Sequence, residues 1–210
     1  PCMYEARAAD EISQSRLVYA LLDKLRGRAG SKCARLIETH ISWVLLAGHY
    51  AYKIKKSVDF GFLDFSSLEA RQYYCEEEIR LNRRLAPKIY LGVTVIGGSS
   101  KDPILGAQPA IEYAVRMRRF AASRQLDRLL ASNKILPQHI DSLAATIARF
   151  HDNLPAADMH SPFGTSGVVR QDAEQNFLQL QDLLTERHDV SSLAALRNAT
   201  ASEYAAQHSL

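Results

Sequence analysis

The chain is poor in cysteine: Cys2, Cys33 and Cys75 are its only three. The number is odd and no metal-ligand spacing occurs, so neither a disulfide framework nor a cysteine-based metal centre is expected. Such a set fits a reduced, cytoplasmic compartment. No apolar run reaches the roughly 20 residues that span a bilayer, so no membrane partner is expected. No signal-peptide pattern opens the sequence. Internal repeats and low-complexity segments are absent as well. A Walker A run, Gly-x-x-x-x-Gly-Lys-Ser/Thr, does not occur, which excludes a P-loop ATPase within these residues. Net charge is only +3, too little to argue for nucleic acid. It is unevenly spread: residues 1–56 carry ten Lys/Arg and five Asp/Glu (10 − 5 = +5), and the rest carry sixteen and eighteen (16 − 18 = −2). The basic N-terminal part suits phosphate contact, and it suits ordinary solvated surface charge equally.

What is present is enough for a core. Of 210 residues 47% are hydrophobic and 23% charged, compatible with one large domain or two small ones. Leu17, Val18, Leu21, Leu22 and Leu25 recur at helical spacing, predicting an amphipathic helix over 9–27 with a break at Gly30. Residues 34–38 fit a strand. Residues 43–47 and 50–55 are rich in β-formers and flank Gly48-His49, a hairpin signal. Ser66 and Glu69 stand at capping-box spacing before a helix that runs to Leu85, where Pro87 stops it. Strands are expected at 89–96 and 108–113, with a loop at 97–103 between them. Helices follow at 125–131, 138–153, 171–185 and 191–208. Strands first and helices afterwards predict an α+β, two-lobed layout.

Two residues on these elements carry chemistry. Ala51, Lys53 and Lys55 share one face of their strand. A small Ala two residues before a Lys lets a flat purine lie against the strand while the ammonium reaches its phosphates. The same spacing is that of a solvated strand face. On the following helix, at 100° per residue from Leu68, Cys75 falls near about 340°, Ile79 near about 20° and Glu78 near about 280°. Glu76 and Glu77 fall outside that apolar sector. A core-facing carboxylate requires a partner, and Lys53 is the expected one; a Glu78 at the sector's edge, reaching solvent, is the alternative.

Several segments, taken together and in order, resemble the aminoglycoside-phosphotransferase-like domain. They are Glu38 to Leu46, Tyr50-Ala51-Tyr52-Lys53-Ile54-Lys55-Lys56, Phe62-Leu63-Asp64-Phe65, Tyr74 to Pro87, and Ile111-Glu112-Tyr113-Ala114-Val115-Arg116-Met117-Arg118-Arg119-Phe120. The form most similar stands N-terminal to a P-loop ATPase domain in bacterial proteins. The likeness is dense over residues 36–153 and looser afterwards. It implies a protein-kinase-like small lobe, an antiparallel sheet plus helix, followed by a partial helical large lobe. The corresponding divisions are an N-terminal helical segment at 1–33, a nucleotide-binding small lobe and hinge at 34–115, and the partial large lobe at 116–210. It also implies ATP as the ligand, with Lys53 on its phosphates and Glu78 holding Lys53. Ala51 and Ile111 would lie beside the purine. Glu112, Tyr113 and Val115 would belong to the lobe hinge, whose backbone meets the adenine edge. His40-Ile41-Ser42 would be the turn over the phosphates, though it contains no glycine.

The family's catalytic His-Gly-Asp-x-His-x-x-Asn run and its later metal-binding Asp are not found. Asp59-Phe60-Gly61 precedes the helix instead of following a catalytic loop. Arg187-His188-Asp189 has Ala194, not Asn, five residues after the Asp. His151-Asp152-Asn153 lacks the following spacing, and His151 fits a packing or capping role. No catalytic residue and no metal site is therefore expected here, and magnesium only in a complete domain. The expected function is the ATP-binding portion of a phosphotransferase acting on a small-molecule hydroxyl, cut before its catalytic loop and inactive alone. The alternative is a non-catalytic nucleotide-binding regulatory module serving a P-loop ATPase domain or protein. A helical scaffold with Lys53 and Glu78 as surface charges is the third reading. An incomplete large lobe also predicts exposed apolar faces and self-association.

Overall fold

A computed structural model describes residues 2–27, 34–158, 160–185 and 187–207, with side chains at 2–11, 187 and 188 excepted. The predicted break at Gly30 lies outside them. The architecture mixes helices with one antiparallel sheet and divides into two compact units, residues 1–145 and 146–210.

The first unit opens with helix α1 (Cys2–Gly27). Strands β1 (Arg35–Glu38), β2 (Ser42–Ala47) and β3 (Tyr50–Lys55) follow, then helix α2 (Leu68–Asn82). Strands β4 (Tyr90–Gly98), β5 (Pro103–Leu105) and β6 (Glu112–Arg118) complete a six-stranded sheet of order β1-β2-β3-β6-β4-β5. The hairpin turns on two residues: Ala47 pairs Tyr50, and Gly48 has φ 56°, the left-handed value that such a loop favours in glycine.

The sheet has two differently covered faces. On one, Leu17, Val18, Leu21, Leu22 and Leu25 of α1 bury against Trp43, Leu45, Tyr52, Ile54, Ile96 and Ala114. On the other, Cys75 and Ile79 of α2 bury against Val115, with Tyr90, Val93, Tyr113 and Met117 beside them. Strand alternation explains the division, since successive β3 and β6 side chains point to opposite faces. The apolar stripe of α1 is one wall of the sheet's core. The segment that follows β5 runs close over β4, for a Cβ on Gly97 would stand 2.4 Å from the Ala107 carbonyl oxygen.

Three expectations are corrected. Ser67, not Ser66, caps α2, its Oγ accepting the Ala70 N–H at 3.0 Å. The strand expected at 108–113 runs instead from Glu112 to Arg118, so a boundary at 115/116 would cut through β6. Pro103, read as the end of a loop, instead opens a further strand, β5 (Pro103–Leu105). After β6 come a 3-10 turn (Ala122–Arg124), α3 (Leu126–Ala131) and α4 (Pro137–Asp152). Leu126, Leu130, Ile140 and Leu143 on these last helices are exposed.

The second unit holds α5 (Ser166–Leu183) and α6 (Arg187–Gln207), which pack together. Thr165 caps α5 by accepting the Val168 N–H. Phe177 is buried, and the Arg170 guanidinium lies over the Tyr204 ring at 5.5 Å. Val169, Leu178, Leu183 and Leu196 are exposed.

Candidate functional site

β3 and α2 bring a charged cluster together on the α2 side of the sheet. Lys53 donates from Nζ to both carboxylate oxygens of Glu78, at 3.0 and 3.1 Å. Lys55 donates to Oε2 of the same carboxylate at 2.8 Å. The β3 pleat points both lysines to one face, and the helical turn that puts Cys75 and Ile79 into the core aims Glu78 at them. The Glu78 side chain is 10% exposed, Lys55 7% and Lys53 28%. Burial alone would raise the Glu78 carboxyl, yet it is held below its ordinary value. The hydrogen bond and charge of Lys55, and then those of Lys53, outweigh burial. Tyr90 of β4 stands near enough to feel the pair: burial and the Glu78 charge push its phenol up, while Lys53 opposes them. Burial pushes the Cys75 thiol up to about 12.

The predicted site residues divide. Ala51 shares the Lys53 face and pairs with Met117, while Lys53 pairs with Val115. Tyr113 and Val115 lie in the apolar layer under α2. Ile111 does not join them, because it packs against the α1 cluster. Glu112 does not face a ligand at Lys53 either. Its carboxylate accepts from Arg71 Nε at 3.0 Å to each oxygen and from Gln14 Nε2 at 2.6 Å. Within the segment expected as a hinge, Ala114 and Val115 pair with β3 on one side and β4 on the other, while Glu112 and Tyr113 pair with β4 alone. The chain leaves the sheet only after Arg118.

Sequence reasoning missed Arg71 and Gln14, and it placed Lys55 on the Lys53 face without giving it a role. Arg71 Nη1 also donates to the Phe65 and Ser66 carbonyls, and Gln14 reaches the Lys55 carbonyl and the Ser57 N–H. This polar knot borders a cavity of about 400 Å³ lined by Gln14, Ser57, Arg71 and Glu112 among others, but not by Lys53.

The Lys53–Lys55–Glu78 cluster carries a net +1, so it suits an anion such as a phosphate. Ala51, 6% exposed, leaves little bulk beside it on the strand. Thr39 closes the β1–β2 turn without glycine, its Oγ1 accepting the Ser42 N–H at 3.0 Å. Among the described residues no group of three or more His, Cys, Asp or Glu side chains could hold a metal ion. No described helix is long and apolar enough to cross a membrane.

No protein-family model matches the chain, and no solved structure gives a significant match. Similarity is found to Uncharacterized protein Rv2004c of Mycobacterium tuberculosis (strain ATCC 25618 / H37Rv) and to Uncharacterized protein Mb2027c of Mycobacterium bovis. Each is 32% identical over 145 residues, which is 69% of this chain and 28% of the relative. The chain thus spans little more than a quarter of the curated relatives it matches.

Proposed function

We propose that this chain is the ATP-holding part of a kinase-like phosphotransferase that acts on a small-molecule hydroxyl. One observation carries the reading: Lys53, on a central strand, is bonded at 3.0 Å to Glu78, on the helix laid across the same face. That is the arrangement by which kinase-type folds present a lysine to nucleotide phosphates. The strand order β1-β2-β3-β6-β4, with α2 on one face, supports it, as does the resemblance over residues 36–153.

In this reading Lys53 Nζ contacts phosphate oxygens and Glu78 orients the ammonium. Ala51 and its β6 neighbour Met117 give the purine an apolar floor. Bound ATP supplies the phosphoryl group, and the chain's own residues bind and orient it. The acceptor-orienting Asp and the metal-binding Asn and Asp of such a site belong to a segment whose motif is not in these 210 residues, so binding without turnover is the expected behaviour.

The test is thermal-shift and calorimetric titration with ATP. Binding should be saturable, lost in Lys53→Ala, and accompanied by no sustained hydrolysis. No shift at millimolar ATP sinks the reading. Turnover abolished by Lys53→Ala sinks the claim that the chain only binds.

A further inference from the structure

Glu78 has two lysine partners, and the better anchored one is not the one nearer solvent. Lys55 Nζ makes the shorter contact, 2.8 Å, from a side chain that is 7% exposed. The same ammonium lies 5.0 Å from the centre of the Phe65 ring, and the Lys55 carbonyl is held by Gln14 Nε2 at 2.8 Å. Lys55 is therefore fixed from three directions: carboxylate, aromatic face and backbone. Lys53 is four times as exposed, and among the described residues the Glu78 carboxylate is its only side-chain hydrogen-bond partner.

The charges make the difference useful. A lone lysine–glutamate pair is neutral, and its carboxylate would repel an approaching phosphate. A second, buried lysine on that carboxylate leaves one positive charge over. At partly buried sites a single charge a few ångströms away is worth several times what it is worth in water.

We infer that Lys55 is a positioning residue that fixes and neutralises Glu78, leaving Lys53 free to present a net positive charge to an anionic phosphate. The phosphate half of this inference rests on the nucleotide reading above; the anchoring half does not. It also assigns different duties to two lysines that share one strand face. Lys53 would touch the ligand, and Lys55 would act only through Glu78.

The groups facing the carboxylate are Lys53 and Lys55 from β3 and the Tyr90 phenol from β4, with the Cys75 thiol on its own helix. The experiment has two arms on the full chain. The first follows the Glu78 carboxyl carbon by NMR against pH, with no nucleotide. Lys55→Met should raise the midpoint, because the carboxylate loses its shortest charged partner. Lys53→Met should raise it less. Lys55→Arg, which keeps the charge, should bring it back toward wild type, and it keeps the test readable if Lys55→Met folds poorly. A rise in Lys53→Met equal to or larger than that in Lys55→Met overturns the assignment.

The second arm titrates ATP at several salt concentrations. Lys55→Met should weaken binding about tenfold, as loss of a charge-assisted contact does. Its affinity should also fall less steeply with salt, because the cluster has lost its surplus charge. A merely structural role would not flatten that slope. ATP affinity and salt slope unchanged in Lys55→Met overturn the proposal and leave the nucleotide reading standing. Wild-type chain that binds no ATP, with Glu78 titrating in the stated order, removes the nucleotide reading and upholds Lys55 as the anchor.

Discussion

Arg71 Nε stands 3.0 Å from both carboxylate oxygens of Glu112, and both side chains are buried. The pair ties α2 to β6. Removing one partner of a buried pair strands the other, which costs about 3–5 kcal/mol. Arg71→Met should therefore lower unfolding free energy by that amount in urea titrations. Arg71→Met combined with Glu112→Leu should recover most of the loss. A single substitution costing under about 1 kcal/mol would mean that the pair is solvated after all.

Glu78 makes stability depend on acid. Its folded-state pKa is depressed, so the unfolded chain binds more protons than the folded one as pH falls. The sign follows: its contribution is complete above the ordinary glutamate value of about 4.3 and disappears below it, through the lower folded-state value. The stability gap between wild type and Glu78→Gln should be constant near neutrality and close as pH drops below about 4. A gap that widens in acid would contradict the assigned direction.

Cys75 is fully buried, and burial pushes its thiol up to about 12. With Cys2 and Cys33 replaced by Ser, the remaining thiol should be inert to Ellman's reagent in the native protein. It should react fully in denaturant. Fast native-state labelling would show that α2 does not seal this face.

The cap of α2 separates two adjacent serines. Ser67→Ala removes the Oγ that accepts the Ala70 N–H and should cost about 1 kcal/mol. Ser66→Ala should be near neutral, since Ser66 contributes backbone groups to its neighbours: its N–H to Asp64 and its carbonyl to Arg71 and Ser57. Thermal unfolding of the two variants distinguishes them directly, and equal losses would return the cap to Ser66.

Periodicity revealed α1 and α2, because each buries one stripe, and the β-formers flanking Gly48-His49 revealed the β2–β3 hairpin although both of its faces are covered. It failed at β6, where Arg116, Arg118 and Arg119 are interleaved with Val115 and Met117. The arginines belong to exposed backbone positions, so a half-buried central strand read as the start of something else. The helical wheel that chose Glu78 also puts Arg71 near about 300°, in the same sector. Arg71 was legible there, had basic residues been sought along with acidic ones. Its partner was not, because Glu112 is 41 residues away and only the sheet brings it near. Lys55 was visible as a neighbour on the Lys53 face, but its contacts with the Phe65 ring and Gln14 follow from no local pattern.

Glu112 also joins α1 to α2, through Gln14 on one side and Arg71 on the other. Arg71 lies in the first turns of α2, and Glu78 is seven residues farther on, about 10 Å along the axis. A rod held near one end can pivot there but cannot slide. Any motion of α2 that parts Glu78 from the lysines must then swing about Arg71, or else drag α1 with it. The small polar knot that sequence reading passed over is in mechanical terms the fulcrum of the ion cluster above it.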